Sequence, residues 1–266
     1  MLTGVKYLGA VGLGVTSPQL FRADDGKIYV VKLQNNCLGT KVLANEYLAS
    51  QFAGVMDLCF PPGEIIYISD QVLQKSRRLK AKRVNKGPHF ASRYIGGSRY
   101  VVRNNLYKAV NKTKLAGVML FDHLFHNLDR TWNRRNLIIR REDQGGVVYA
   151  IDNSHLFRRG RWNINSLTKL ESQITLNHRR AYGWLLKHFL TAGDFAPYVA
   201  KVKALSDEQI TGLVENIPLQ WLPDQAERQA LIHYIRVRRD MVEEIAGRLY
   251  ALIPNVDRSA DPDQGK

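Results

Sequence analysis

Short apolar runs separated by polar turns occupy the first third of the chain. Glycine, proline and aspartate bound these runs, a pattern typical of β-strands. The stretch 41–52 differs, because Leu43, Tyr47 and Leu48 recur at the spacing of one helical face. The pattern therefore predicts one helix within a small sheet, whose clearest strands are 27–33, 64–69 and 88–95.

Helical spacing dominates the second half of the chain. Apolar residues recur at that spacing in 115–124 and again through 166–252. Ser206 and Gln209 form a capping-box pattern before one helix. A long helix is predicted from Pro223-Asp224 to about residue 249. Three arginines on this helix are expected to face solvent: Arg236, Arg238 and Arg239.

Three polar residues are predicted to meet around a hairpin in the middle of the chain. Two short strands lie on either side of a predicted turn at Gly145 and Gly146. An antiparallel hairpin returns its two ends to one place. Asn136, which enters the hairpin, and Asp152, which leaves it, should therefore lie side by side, with Asp129 slightly upstream.

Two carboxylates and an amide oxygen suit a hard divalent cation such as Mg²⁺. Phosphoryl transfer uses such a metal to neutralise charge, and a carboxylate to orient the attacking hydroxyl. The alternative is structural, with Asp129 and Asn136 capping turns and Asp152 ending a strand. The pattern leaves a phosphotransfer site and ordinary turn capping as the two interpretations.

The first strands carry two further features that suit phosphate binding. Gly12 and Gly14 precede Ser17 in a turn between strands, and such a turn lets backbone amides and hydroxyls approach phosphates. Lys32 lies inside an apolar strand, where a lysine is costly unless it is paired. Glu46 on the following helix is its candidate partner. The alternatives are a merely tight turn and a solvent-facing lysine.

Length and cysteine content limit the classes of protein to which this chain can belong. The 266 residues suit one domain of two lobes or two small domains. Two cysteines, Cys37 and Cys59, are too few for a disulfide framework and lack metal-ligand spacing. No apolar run is long enough to span a bilayer, and no signal-peptide pattern occurs, so a cytoplasmic location and no membrane partner are expected.

Positive charge is concentrated in one part of the chain. The formal net charge is +15, and the segment 71–121 contains thirteen Lys or Arg residues without any Asp or Glu. Such a patch could attract nucleic acid or another polyanion. No nucleic-acid fold signature accompanies the charge, so a solvated surface that aids solubility is an equal alternative.

The chain resembles the HipA-like kinase family, in particular its compact members without an extra N-terminal subdomain. The resemblance spans about residues 5–160 and rests on the glycine-rich start and on YVVKL, PHFASRYI, HNLDRTWNRRNLII and AIDNSHLF. It implies an α+β, bilobal protein-kinase-like fold. We expect a small β-rich N-lobe at 1–95, a mainly helical C-lobe at 96–253 and a disordered tail at 254–266.

The resemblance implies roles for the central polar residues. Asp129 would match the catalytic aspartate, and Arg130 beside it is a candidate charge stabiliser. Asn136 and Asp152 would match the two metal ligands. The step from Asp129 to Asn136 is longer than in the usual kinase loop, which leaves Asn133 as an alternative ligand.

The first half of the chain would then bind the nucleotide. Lys32 would contact the phosphates of ATP, Glu46 would hold Lys32, and the glycine-rich turn would cover the phosphates. The hinge is expected around 93–96, where Tyr94 would adjoin the adenine.

The expected function is ATP- and Mg²⁺-dependent phosphoryl transfer to a Ser or Thr hydroxyl of a protein or peptide. Two alternatives remain. One is an inactive kinase-like scaffold that binds nucleic acid or an acidic partner through 71–121. The other is a small-molecule kinase.

Overall fold

The computed structural model describes residues 1–12, 14–178 and 180–254. One closed sheet lies within residues 2–93, which we call the first half of the molecule. A small sheet and most of the helices lie within residues 99–250, which we call the second half. The predicted disordered tail lies outside the described residues from position 255 onward. Across the described ranges, no helix combines the length and apolar character needed to cross a membrane.

Five strands form the closed sheet of the first half. They are β1 (Leu2–Ala10), β2 (Gln19–Ala23), β3 (Ile28–Lys32), β4 (Gly63–Ile68) and β5 (His89–Arg93). Their order is β1-β2-β3-β5-β4, and the parallel pairing of β1 with β4 closes the sheet. Phe21, Val31 and Ile66 are fully buried in its core. Successive residues point to opposite faces of a strand, so Lys32 lies on the other face from Val31.

Helix α1 (Lys41–Met56) lies between the closed sheet and the helical half, and contacts both. Two short helices, α2 (Asp70–Lys75) and α3 (Arg77–Ala81), follow β4 in the basic segment. The sequence predicts an exposed loop or frayed helix over 75–86, and α3 lies within that run. Leu79 is fully buried and anchors α3, while the lysines and arginines of both helices are exposed.

A three-stranded sheet carries the central hairpin. Its strands are β6 (Arg99–Tyr100), β7 (Leu137–Glu142) and β8 (Gly145–Ala150). The predicted turn at Gly145 and Gly146 is wrong, because the turn falls at residues 143–144 and both glycines pair with β7. The backbone of Gly146 also bonds to Lys108 and Val110, which holds this glycine in the sheet.

The remaining helices form the second half of the molecule. They are α4 (Arg103–Tyr107), α5 (Leu115–Leu124), α6 (Asp129–Trp132), α7 (Ile164–Glu171), α8 (Arg180–His188), α9 (Ala192–Lys203), α10 (Asp207–Glu215), α11 (Gln225–Asp240) and α12 (Val242–Tyr250). Short 3₁₀ turns occupy Lys112–Lys114 and Arg134–Asn136. Every residue of α5 is buried, so this helix is the centre of the larger core.

The long helix predicted from residue 223 to about 249 is divided in the structure. The backbone of Met241 leaves helical geometry and separates α11 from α12. Helix α11 packs mainly against α7 and α10, whereas α12 packs mainly against α5 and α9. The break therefore lets two apolar faces pack against different neighbours. The predicted capping box of Ser206 and Gln209 is confirmed at the start of α10.

Candidate active site

A cleft of about 610 Å³ opens between the closed sheet and the β7–β8 hairpin. This volume lies within the range of sites that bind small molecules and cofactors. The lining includes eight of the eleven candidate site residues from the sequence: Gly12, Gly14, Lys32, Glu46, Tyr94, Asn133, Asn136 and Asp152. The fold thus gathers side chains from both halves of the chain around one space.

Lys32 connects the two halves at this cleft. Its Nζ donates to Oε1 of Glu46 on α1, and to Oδ1 of Asp152 at 2.8 Å. The backbone N–H of Asn153 donates to the same Glu46 oxygen at 3.0 Å. Because β3 and α1 belong to the first half and Asp152 to the second, these bonds couple α1 to the segment after β8.

Opposite charges shift the ionisation of this cluster. Burial disfavours the ammonium form of Lys32, but the carboxylates of Asp152 and Glu46 outweigh burial and raise the pKa of Lys32. Burial also disfavours the carboxylate of Asp152. The charge of Lys32 and hydrogen bonds from Ser154 outweigh that effect and hold the pKa of Asp152 well below its ordinary range. Both groups are therefore charged at neutral pH.

Asp152 turns the chain sharply where β8 ends. Its φ of 62° is left-handed, which is uncommon for a residue with a side chain. Its Oδ1 accepts the Ser154 N–H at 3.2 Å as well as the Ser154 hydroxyl. The described parts of the chain place no hydrogen-bond donor on its Oδ2. That oxygen is available to a cation.

Asp129, Asn136 and Asn133 form a hydrogen-bonded chain beside Asp152. Nδ2 of Asn136 donates to Oδ2 of Asp129 at 2.6 Å, and Nδ2 of Asn133 donates to Oδ1 of Asn136 at 3.0 Å. Asn133 and Asn136 both line the cleft, and Asp129 is joined to it through Asn136. The two candidate asparagine ligands are thus in contact, and the Asn136 amide oxygen keeps a second lone pair.

The position of Arg130 does not suit the charge-stabilising role suggested by the sequence. The residue is fully buried, and its guanidinium does not line the cleft. Its Nε donates to Oδ2 of Asp122 at 2.8 Å, and one terminal nitrogen donates to Oδ1 of Asn153 at 2.6 Å. The other donates to the Asn136 carbonyl at 3.2 Å. Arg130 therefore holds the loops that carry the polar residues, rather than meeting a ligand.

The glycine-rich turn covers one side of the cleft. Gly12 and Gly14 line it with φ values of 88° and 146°, which favour glycine. Ser17 is exposed and is not among the lining residues, so its hydroxyl does not face the cleft as the sequence suggested. Thr16 is 7% exposed and lines the cleft instead. Sequence alone could not choose between two adjacent hydroxyls in an irregular turn.

The expected hinge lies at the edge of the cleft. Tyr94 directly follows β5 and lines the cleft together with Ile95. The Tyr94 N–H donates to the Ile28 carbonyl at 3.0 Å, which extends the pairing of β3 with β5. A hydrogen bond from this segment to a ligand would therefore come from a group other than that N–H.

Sequence reasoning missed a basic and aromatic part of the cleft. Arg99, Tyr100 and Arg135 line it, and the Arg135 guanidinium carbon lies 6.0 Å from the centroid of the Tyr100 ring. Pairing of β6 with β7 brings these distant segments together. The available signal was the acid-free composition of 71–121, which covers Arg99 and Tyr100 but not Arg135, and which does not show where its charges lie.

Two histidines upstream of Asp129, His123 and His126, are hydrogen-bonded to neighbouring groups of the protein. The ring nitrogens of His123 contact the Met119 carbonyl at 2.7 Å and the Asn177 N–H at 3.0 Å. Nδ1 of His126 contacts the Tyr234 hydroxyl at 2.9 Å. Within the described ranges, no cluster of three or more His, Cys, Asp or Glu residues suits a metal. A cation at this cleft would need amide and ligand oxygens in addition to Asp152.

Comparison with protein families gives one match that spans most of the chain. The family described as HipA-like kinase matches residues 6–247. No curated protein matches the sequence.

Solved kinase structures share the fold. A Helicobacter pylori proinflammatory kinase, CtkA, is 11% identical, with a TM-score of 0.60 over 94% of this chain and 97% of that one. The Golgi casein kinase with Mn/ADP bound is 10% identical, with a TM-score of 0.56 over 99% and 78% of the two chains. A hydra Fam20 structure with sugar is 12% identical, with a TM-score of 0.51 over 94% and 87%. The expected bilobal, α+β kinase-like fold is confirmed.

Proposed function

Because the chain belongs to the HipA-like kinase family, we propose that this kinase transfers the γ-phosphoryl group of ATP to a Ser or Thr hydroxyl of a protein. One observation carries the proposal. Lys32, Glu46 and Asp152 come from three separate elements and are bonded to one another at a cleft between the two halves. Phosphoryl transfer depends on this kind of fixed electrostatic arrangement more than on covalent chemistry by the protein.

The first half of the molecule would bind the nucleotide. The Lys32 ammonium would contact its phosphates, and Glu46 would hold that ammonium in place. Gly12 and Gly14 bring backbone close to the same region, with the buried Thr16 beside them. Tyr94 lies at the opposite edge, where the adenine would sit.

The donor set suits a divalent cation, and we propose Mg²⁺. Asp152 offers its Oδ2, and Asn136 offers an amide oxygen with a second lone pair. Bound there, the ion would neutralise phosphate charge. The Golgi casein kinase, solved with Mn/ADP, supports the use of a nucleotide and a divalent metal at this fold.

Asp129 would orient the acceptor hydroxyl and take its proton. Its Oδ2 is held by Asn136 at 2.6 Å, and Nδ1 of His155 lies 3.9 Å from the same oxygen. The Asp129 side chain is 27% exposed, so an entering hydroxyl can reach it. Buried Arg130 would position the loop around Asp129 without meeting the substrate.

Transfer of labelled phosphate from ATP to a protein acceptor tests the proposal. Asp129→Asn and Asp152→Asn should each lower the rate by at least about a hundredfold, because each removes one charged group from the reaction. Asp143→Asn makes the same change at an exposed hairpin turn and should leave the rate unchanged. The assay includes sugar acceptors, since the hydra Fam20 structure was solved with sugar.

A thermal shift provides an independent readout of nucleotide binding. ATP with Mg²⁺ should raise the melting temperature of the wild type by mass action, and a chelator should reduce that shift. Equal transfer by Asp129→Asn and the wild type would contradict the assigned role of Asp129. A wild type that neither binds nor turns over ATP would overturn the whole proposal.

A further inference from the structure

A second cavity of about 320 Å³ lies on the far side of the β6–β7 pair from the nucleotide cleft. The two spaces share no lining residue. Tyr100 and Ile138 line the cleft, whereas Val101 and Leu137 line the second cavity. Adjacent residues of extended chain point to opposite faces, so one layer of backbone separates the two spaces.

The cavity is apolar inside, with Arg103 at its edge. Leu106, Leu137 and Leu185 line it together with Trp184, and Arg103 is exposed at its border. The indole N–H of Trp184 is buried and has no hydrogen-bond acceptor among the described residues. An occupant with a large apolar group and polar acceptors would match this lining.

The surface around the cavity is apolar and exposed. Two exposed large hydrophobic residues of the described chain adjoin the cavity: Val102 lines it, and the centroid of the Tyr107 ring lies 6.3 Å from that of Trp184. Their exposed fractions run from 48% to 57%. A small molecule inside the cavity would leave these side chains uncovered, whereas a protein segment would cover them. The surface therefore favours a polypeptide occupant.

The charge of the same surface specifies the partner further. Arg99, Arg103 and Lys108 are exposed, and the described parts of the chain supply no carboxylate that forms an ion pair with any of them. Arg99 also lines the nucleotide cleft, so positive charge continues from the cavity to the proposed site of transfer. An acidic segment would complement this path.

We propose that the cavity and its rim form a docking site for an acidic segment of the protein substrate that carries one bulky apolar side chain. The apolar side chain enters the cavity beside Trp184. Acidic residues around it pair with Arg103, Lys108 and Arg99. The docking role rests on the proposed kinase function, while the binding itself does not require phosphoryl transfer.

Binding of labelled peptides to the full chain tests the proposal without nucleotide. The probe is a short fluorescein-labelled peptide with one phenylalanine flanked by glutamates, followed by fluorescence anisotropy. Replacing the phenylalanine by alanine, or the glutamates by lysines, should weaken binding by at least about tenfold, because the anchor or its charge complement is lost. Excess ATP should not displace the peptide, because the cavity is separate from the cleft.

Variants of the chain locate the bound peptide. Arg103→Glu at the rim and Ala181→Phe, which fills the cavity, should each weaken binding by at least about tenfold. Arg77→Glu on α3 is a matched charge reversal at an exposed site and should change binding by less than about twofold. Arg103→Glu is exposed, so it tests the surface even where a cavity-filling variant fails to fold.

The outcomes separate this proposal from the kinase assignment. Equal binding of the phenylalanine and alanine peptides, no binding of either, or displacement of the peptide by excess ATP would overturn the docking site. Peptide binding by a wild type that transfers no phosphate would leave the docking site standing and overturn the kinase proposal. Phosphate transfer without selective peptide binding would leave the kinase proposal standing and overturn the docking site.

Discussion

Arg130 and Arg238 are two arginines whose surroundings differ from those their sequence positions suggest. Arg130 adjoins the candidate catalytic aspartate, yet it is fully buried against Asp122. Arg238 was expected to face solvent on a charged helix, yet it is 1% exposed and donates to backbone carbonyls, including those of Leu124 and His123. A long cationic side chain can thus act as a structural crosslink when enough acceptors converge on it.

Replacing Arg130 with alanine should destabilise the protein strongly. The change leaves the buried Asp122 carboxylate without its ion-pair partner, which costs about 3–5 kcal/mol. Urea unfolding measures the loss of free energy, with exposed Arg77→Ala as the control and an expected change within about 0.5 kcal/mol. Similar effects of both substitutions would show that the Arg130–Asp122 pair does not support the loop.

His89 should make stability depend on pH. Burial lowers its pKa to about 4, from 6.5 for the free side chain, and the Asn85 carbonyl offsets only part of that effect. The unfolded chain therefore takes up a proton at a higher pH than the native state. Native stability should fall as pH drops from about 6.5 towards 4, by about 2 kcal/mol at pH 5.

Urea unfolding of wild type and His89→Gln across this pH range isolates that dependence. The variant should lose part of the slope between pH 6.5 and 4, because the group responsible is gone. His178→Gln removes an exposed histidine and serves as the control. An unchanged slope in His89→Gln would rule out His89 as a source of the acid sensitivity.

Helix α5 shows how one element can organise a half of the molecule. Every one of its residues is buried, and it contacts both α9 and α12. Gly117 permits the close approach of α9, since a Cβ at this position would lie 2.4 Å from Cε1 of Tyr198. Asp122 at its other end meets Arg130 and the Tyr182 hydroxyl. One helix therefore supports both the core and the segment that carries Asp129 and Arg130.

Gly117→Ala should lower the free energy of unfolding by about 1–3 kcal/mol through overpacking against Tyr198. Gly212→Ala is the matched control on α10. A Cβ there meets nothing within 4 Å, so this substitution should stabilise the helix by about 0.5–1 kcal/mol. Thermal or urea unfolding compares the two directly. Stabilisation by both changes would contradict the close approach of α5 and α9.

The whole molecule is held together by contacts that cross between its halves. Nε1 of Trp221, between α10 and α11, donates to the Pro88 carbonyl at 2.9 Å, and the Thr40 hydroxyl donates to the Trp221 carbonyl at 3.0 Å. Asn45 on α1 donates to the Gly160 carbonyl at 3.0 Å. These bonds join the two halves directly, so the halves form one packed unit rather than independent modules.

Unfolding should therefore follow one transition by both tryptophan fluorescence and far-UV circular dichroism. Trp221→Phe should keep that single transition and lower the free energy of unfolding by about 1–3 kcal/mol, because the buried Pro88 carbonyl loses its donor. Trp132→Phe, at a half-exposed position, should have a smaller effect. Separate transitions by the two probes would show that the halves unfold independently.

The sequence by itself determined that a sheet with one helix precedes a helical part carrying a central hairpin, and it determined the family of the chain. Local periodicity and the spacing of polar residues encode such features, and the hairpin argument placed Asn136 beside Asp152. Packing in three dimensions decided the rest: the buried place of Arg130, the choice of Thr16 over Ser17, and the second cavity behind Leu137. Side-chain direction and burial depend on contacts between distant segments, and these follow from the folding of the whole chain.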